Sequence, residues 1–316
     1  MDVSPVIYFV IPCYNEEEAL PETSKRLRAK LNGLFAKEII SRQSRVLFVD
    51  DGSKDNTWRM IQNLHKEESY FGGVKLAHNR GHQNALYAGL MEALKAGCDA
   101  AISMDADLQD DIDVIDQFIE KYQEGSQVVY GVRDNRDTDS AFKRGTAELF
   151  YRLMNALGAE TVADHADYRL MGRSALSALS EYTEVNLFLR GIVPSIGFKT
   201  DIVYYKRGER IAGESKYPLK KMISFAVEGI TSFSVKPLQM ITGFGVFAVL
   251  ISFVCLIYTL VSVFTGHAVA GWGSLMISIW LIGGTIIISL GIVGEYIGKI
   301  YMESKRRPRY IVEKVI

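Results

Sequence analysis

Acidic side chains stand where short apolar runs stop. One run leads into Pro12-Cys13-Tyr14-Asn15-Glu16, a second into Asp50-Asp51-Gly52-Ser53, and a later one into Asp105-Ala106-Asp107-Leu108-Gln109. Taken singly, each is an ordinary turn or helix cap, made of residue types that close turns with their own side chains. Together they put several carboxylates on one rim, where uncompensated negative charge repels. A hard cation with oxygen ligands removes that repulsion, and Mg2+ or Mn2+ commonly bridges carboxylate to diphosphate.

Those residues need elements to carry them. The runs Val6–Pro12, Arg45–Asp50, Gly73–Ala77, Ala100–Asp105 and Gln127–Val132 are rich in Val, Ile, Phe and Tyr and too short for helices. Between them lie helical patterns. Pro21 suits a first turn ahead of Leu27, Leu31 and Leu34. Trp58, Ile61 and Leu64 form a second stripe, and Leu86, Leu90 and Leu94 a third. Strands alternating with helices predict an α/β domain with a mostly parallel sheet, whose ligands bind at the carboxyl ends of the strands. The acidic turns fall at those ends.

A formal charge of −1 over 316 residues removes the long-range attraction expected of a nucleic-acid binder. Cys13, Cys98 and Cys255 are too few and too scattered for a disulfide framework or a zinc site, which suits a reducing cytosol. The stretch from Met1 to Asn15 has no basic start and reads as a buried strand rather than a signal peptide. From Lys236 to Glu295 no Asp, Glu, Lys or Arg occurs. About 20 apolar residues cross a bilayer, so this stretch predicts a transmembrane hairpin over 237–294, with spans at Leu238–Phe264 and Trp272–Val293 joined by Thr265–Gly271. Lys220, Lys221 and Lys236 precede it, and Lys299, Lys305, Arg306, Arg307 and Arg309 follow. By the positive-inside rule both ends are cytoplasmic. The expected plan is a cytosolic catalytic domain at 1–217, an amphipathic juxtamembrane helix at 218–236, the hairpin, and a basic tail at 295–316. Leu219–Phe233 and Glu148–Leu157 pair apolar faces with basic neighbours, as helices in a lipid interface do.

The ordered set Val10-Ile-Pro-Cys-Tyr-Asn-Glu16, Val49-Asp-Asp-Gly-Ser53, Asn79-Arg-Gly81 and Asp105-Ala-Asp-Leu-Gln109 resembles family 2 glycosyltransferases of the GT-A (Rossmann-like) fold. Ala166-Asp-Tyr-Arg-Leu170, Gly213-Glu-Ser-Lys-Tyr217 and the two spans are similar to its polyprenyl-phosphate branch, which includes bactoprenol glucosyltransferases and dolichyl-phosphate mannose synthases. The resemblance implies inverting transfer of a hexose from a nucleotide-sugar donor to a polyprenyl (undecaprenyl) phosphate acceptor at the cytoplasmic face of a bacterial inner membrane. It places Pro12, Tyr14, Glu16 and Asp51 or its neighbour Asp50 in the nucleoside pocket, with Gly81 and Ala106 beside the donor. Asp105 and Asp107 match the metal and diphosphate motif. Gln109 is either a further metal contact or a first-turn residue. Arg133, Arg169, Arg210 and Lys216 are the expected cations for the acceptor phosphate, with Lys206 and Arg207 as weaker candidates. Asp167 matches the catalytic aspartate, and Asp164 is its alternative. The local run Asp164-His-Ala-Asp-Tyr-Arg169 departs from the Thr-Gly pair frequent in relatives, and His165 reads as a loop residue.

Because a phosphate monoester has its second pKa near ~6, the acceptor is mostly dianionic at neutral pH, and Asp167 is expected to act electrostatically more than as a base. UDP-glucose is the favoured donor, with UDP-GlcNAc and GDP-mannose open. A processive polysaccharide synthase would carry a Q-x-x-R-W motif and more spans, and neither occurs here. A non-catalytic binding protein would be expected to have lost one of Asp105, Asp107 or Asp167. Gly243, Gly245, Gly283 and Gly284 leave room for close packing between spans, so a homo-oligomer is open.

Overall fold

The computed structural model describes residues 4–133, 165–185, 187–206, 271–316 and separate positions between 238 and 257. Five strands appear within one or two residues of the apolar runs: β1 Ile7–Cys13, β2 Arg45–Asp50, β3 Phe71–Leu76, β4 Ala100–Ser103 and β5 Val128–Arg133. Three more join them, β6 His165–Gly172, β7 Thr200–Tyr205 and β8 Val312–Val315. The strand order is β7-β5-β6-β4-β1-β2-β3-β8. Strands β1 to β4 run parallel in the half built on β4-β1-β2-β3, and β5 runs parallel to β7. Strand β6 is antiparallel to both β4 and β5, and β8 is antiparallel to β3. The sheet is therefore mixed, with β6 as the seam at which direction reverses.

Helices cover the sheet, the first three where the stripes predict them and three more besides. They are α1 Leu20–Ala36, α2 Thr57–Glu67, α3 His82–Lys95, α4 Ile115–Gln123, α5 Arg173–Ser180 and α6 Leu189–Ser195. Pro21 lies in the first turn of α1, where its missing N–H costs nothing, and Leu27, Leu31 and Leu34 are buried beneath it. Helix α3 lies so close to the sheet that a methyl group at Gly89 would stand 2.4 Å from Val10 and 2.6 Å from Val49. Phe9, Ile11, Phe48, Phe71, Ile102, Phe118 and Tyr168 lie in the core beside α1. Burial of that apolar surface, at roughly 25 cal/mol per Å2, is what holds the helices against the strands.

The chain divides into two compact units, one holding the sheet together with 307–316 and the other holding 219–306. In the second unit, the described positions from 238 to 257 are helical, and Met240, Phe244, Phe247, Leu250 and Val254 are exposed. Helix α7, Trp272–Ser304, begins where the second span is expected to begin and runs on past Val293. It continues through Glu295, Lys299 and Glu303, because the charged residues arrive at a spacing a helix tolerates. At 1.5 Å per residue it is about 50 Å long, against about 30 Å of bilayer hydrocarbon. By length and composition, Ile282–Ser304 suffices to cross a membrane, with mean hydropathy 1.3 and none of it buried. The segment read as a basic tail ends in β8 and so adds a strand to the first unit. Segments Glu148–Leu157 and Leu219–Phe233 lie outside the described residues.

Candidate active site

The acidic turns converge at the carboxyl ends of β1, β2 and β4, as parallel-sheet geometry requires. The turns after β1 and β2 are laced together. The main-chain N–H of Asn15 donates to Ser53 Oγ at 3.0 Å, Lys54 N–H to Asn15 Oδ1 at 2.9 Å, and Glu16 N–H to Thr57 Oγ1 at 2.9 Å. Asn15 takes the left-handed conformation at φ +55°, and Gly52 does so at φ +68°. A Cβ on Gly52 would stand 2.7 Å from Asn79 N, so only glycine fits there. Pro12 is buried at the end of β1, Tyr14 is 42% exposed, and Glu16 is half-buried at the head of α1.

Asp50 and Asp51 play different parts. Asp51 is buried, and its two carboxylate oxygens accept the N–H groups of Arg80 at 2.7 Å and Gly81 at 2.8 Å. It thereby shapes the loop into α3, whose Gly81 sits at φ +85°. Burial pushes the Asp51 carboxyl up and the two amides pull it back. Asp50 is fully buried, with one oxygen accepting from Ser53 N–H at 3.1 Å and the other without a hydrogen-bond partner. Burial raises its pKa as well.

After β4 the chain forms a tight loop. Asp107 Oδ1 accepts the N–H of Gln109 at 3.2 Å, Leu108 adopts φ +55°, and Thr23 Oγ1 donates to the Ala106 carbonyl at 2.7 Å. Ala106 and Gln109 are buried, whereas the Asp105 side chain remains 37% exposed. Burial pushes Asp105 up to about 6 against the pull of His82, and repulsion from Asp110, Asp167 and Asp107 adds to the rise. A crowd of carboxylates strained in this way suits a divalent cation in kind. Among the described residues no group of three or more His, Cys, Asp and Glu side chains is gathered to hold an ion.

Asp167 lies in β6, next to β4, and is 5% exposed. Its carboxylate accepts from Arg169 Nη2 at 2.6 Å, from Arg190 Nη2 at 3.3 Å and from Gln83 Nε2 at 3.3 Å, and His82 Nε2 stands 3.4 Å away. Burial alone would raise its pKa, but the His82 hydrogen bond and the charges of Arg190 and Arg169 hold it well below the usual carboxylate range. His82 Nε2 is also 3.7 Å from Asp105, so one imidazole spans the metal motif and the Asp167 cage. Sequence reasoning missed His82, Gln83 and Arg190. The first two directly follow Gly81, a position already singled out, whereas Arg190 sits in an apolar stretch with no flanking motif.

The cations expected at the acceptor separate. Arg169 is 1% exposed and spends its guanidinium on Asp167 and on the Leu189 carbonyl at 3.3 Å, so it faces inward. Arg133, at the end of β5, donates from Nε to Tyr205 Oη at 3.2 Å and keeps 30% of its side chain exposed. Arg190 keeps 35%. Arg207, Arg210, Lys216 and Asp164 lie outside the described residues. A cavity of about 630 Å3 borders the loop at Leu108 and Asp110, lined also by Lys30, Lys37, Asp113 and Lys206, and its mixed charges single out no ligand.

Residues 8–180 match the family model described as glycosyl transferase family 2. The uncharacterized glycosyltransferase YkoT of Bacillus subtilis (strain 168) is 52% identical, across 98% of this chain and 91% of its own. The prophage bactoprenol glucosyl transferase homolog of Escherichia coli (strain K12) is 40% identical across 98% of this chain and 99% of its own. The bactoprenol glucosyl transferase of Shigella phage SfV is 40% identical across 97% and 98% respectively.

Proposed function

The chain belongs to glycosyl transferase family 2, and from that premise we propose that it transfers a hexose, glucose first among the candidates, from a nucleotide-sugar to a polyprenyl phosphate. The observation that carries the reading is the pairing across His82 of the strained Asp105 carboxylate with the ion-paired Asp167. It supports a reading in which a metal-bound diphosphate lies beside a place rich in cations. The bactoprenol glucosyl transferases among the relatives, similar end to end, support the lipid acceptor. Helix α7, apolar and exposed, supports a bilayer anchor that leaves the sheet domain on the cytoplasmic side.

In this reading Pro12, Tyr14 and Glu16 frame the nucleoside, Asp50 shapes the floor of its pocket, and Asp51 sets the Arg80–Gly81 amides along the donor. A divalent cation held by Asp105 and Asp107, with Gln109 beside them, supplies counter-charge to the diphosphate when bound. An oxygen of the acceptor phosphate attacks the anomeric carbon from the face opposite the leaving group. The new carbon–oxygen bond forms as the bond to the diphosphate breaks, and the nucleoside diphosphate leaves with the electron pair. Arg190 and Arg133, both partly open, draw in the acceptor's charge. Asp167, held ionised by its own cations, is a poor proton acceptor at neutral pH, and the dianionic acceptor has no proton to give. Its work is to orient Arg190 and His82.

The test is transfer from a panel of UDP-glucose, UDP-GlcNAc and GDP-mannose to undecaprenyl phosphate by the purified full chain, with donor hydrolysis measured in parallel without lipid. Lipid-dependent glucose transfer is the expected result. Polymer formation would favour a processive synthase, and no turnover of any donor would sink the catalytic reading.

A further inference from the structure

Asp110 has no part in the roles above, yet it is one of the most enclosed charges in the sheet domain, at 2% exposure. One of its oxygens accepts the Tyr205 hydroxyl at 2.6 Å and faces Arg133 Nη2 at 3.7 Å. The other faces the main-chain N–H of Asp105 at 3.4 Å. Arg133 and Tyr205 are register partners, each the last residue of its strand, and Arg133 Nε donates to the same phenol oxygen. Tyr168 adds a second tie, its hydroxyl donating to the Asp111 carbonyl at 2.9 Å while its ring packs edge-on against Tyr205 at 5.3 Å. The end of the loop after β4 is thus pinned by the tips of β5 and β7 and by Tyr168 of β6, and Asp110 in turn reaches back to the N–H at the loop's start.

Resting on the reading above, we propose that Asp110 and Tyr205 form a strut that positions the Asp105–Gln109 loop for the metal-bound diphosphate and fixes the guanidinium plane of Arg133 for the acceptor phosphate. Both carboxylate oxygens are engaged by these partners, so the residue acts through its neighbours. Only an acceptor able to take the phenol hydrogen and lie beside Asp105 N–H and Arg133 at once can hold all three.

The test uses the purified full chain carrying Tyr205→Phe, Asp110→Asn or both. Tyr205→Phe keeps the ring against Tyr168 and removes only the hydroxyl. Mn2+ binding in the presence of UDP is read from the resonance of the free ion, with UDP affinity without metal, melting temperature, and kcat and KM for donor and acceptor alongside. Loss of an outer partner of a metal site costs about 10- to 100-fold in affinity or rate. Tyr205→Phe is expected near the lower end in both Mn2+ affinity and kcat, with metal-free UDP affinity unchanged. Asp110→Asn, which keeps an acceptor oxygen but loses the charge, should also raise the acceptor KM through Arg133. The double variant should lose no more than the worse single one, because the two residues act as one device. Wild-type Mn2+ affinity in both single variants, or a lowered melting temperature with binding and kcat untouched, would overturn the strut. A wild-type chain that binds no Mn2+ with UDP would overturn it too. If the variants lose Mn2+ affinity while the wild type glycosylates no polyprenyl phosphate, the acceptor reading fails and the strut stands.

Discussion

Replacing Asp167 with Asn should separate what that carboxylate does for the fold from what it does for the reaction. Arg169 is 1% exposed, and among the described residues its only charged partner at hydrogen-bond distance is Asp167, at 2.6 Å. Arg190 can swing toward solvent, so the cost falls on Arg169, left as a buried charge without a counter-ion. Breaking such a pair costs about 3–5 kcal/mol. For a domain of this size that is a fall of roughly 6–20 °C in melting temperature. Adding Arg169→Met should return most of the loss, since an apolar side chain of similar volume needs no partner. The effect depends on pH in a definite sense. Asp167 titrates well below the usual range when folded, so its contribution is complete above the unfolded value near ~3.9 and disappears as pH falls through the folded value. The wild-type and Asp167→Asn stability curves should therefore stay parallel above about pH 5 and close together in stronger acid. Thermal melts in detergent across pH 2–8 measure this, with transfer rates taken on the same samples. An Asp167→Asn protein that melts within two or three degrees of wild type at pH 7 would refute the buried-pair argument. Activity restored by Arg169→Met along with stability would refute any role for Asp167 beyond the fold.

Asp107→Ala should abolish transfer while leaving the melting temperature unchanged or raised, because one charge leaves a crowd of carboxylates. Undiminished transfer, or activity that survives full chelation, would count against the metal site. Gly52→Ala, which sets a methyl 2.7 Å from Asn79 N at φ +68°, should cost more than about 1 kcal/mol and weaken donor binding, read by melting and by donor titration. A cysteine at Gly266 should react with impermeant thiol reagents on intact cells and one at Ser304 should not; the opposite pattern would invert the topology. In a Cys255→Ser background, Cys13 and Cys98 should resist maleimide at pH 8 in the folded protein. Burial raises both thiols, Cys98 to about 12, and Glu16, Asp50 and Asp55 further oppose a Cys13 thiolate. Labelling at the rate of a free thiol would contradict that burial.

The sequence made the parallel half of the sheet legible because its strands are buried on both faces and read as unbroken apolar runs. Strand β6 escaped notice for the opposite reason. His165-Ala-Asp-Tyr-Arg-Leu-Met-Gly172 carries the site's buried ion pair, and two charges inside a strand erase the apolar signal. A cue was present all the same, since Asp167 and Arg169 stand two apart and so share one face of a strand. Strand β7 alternates exposed and buried residues, and β8 carries two charges on an edge, so neither stands out as a run. Within the site, the D-x-D turn was readable from residue types alone. Asp110 was not, because it lies in a string of aspartates where solvation is the ordinary fate, and only Tyr205, 95 positions away, marks it as buried. Arg169 read as a cation for the acceptor phosphate, and its inward turn depends on Leu189, 20 positions on.

Strand β8 bears on how the protein is made. It pairs along β3, and Ile316 exchanges two hydrogen bonds with Gly73, N–H to carbonyl in each direction, at 2.9 and 3.0 Å. In chain order it comes after α7. During synthesis β1 to β7 can therefore assemble while the edge of β3 still shows unpaired N–H and carbonyl groups, the condition under which sheets recruit the wrong strand. That edge is closed only by chain translated after the long apolar helix has been made. The making of α7 and the completion of the sheet become successive steps of one biosynthetic sequence, so a chain cut short between α7 and β8 is left with its sheet edge open.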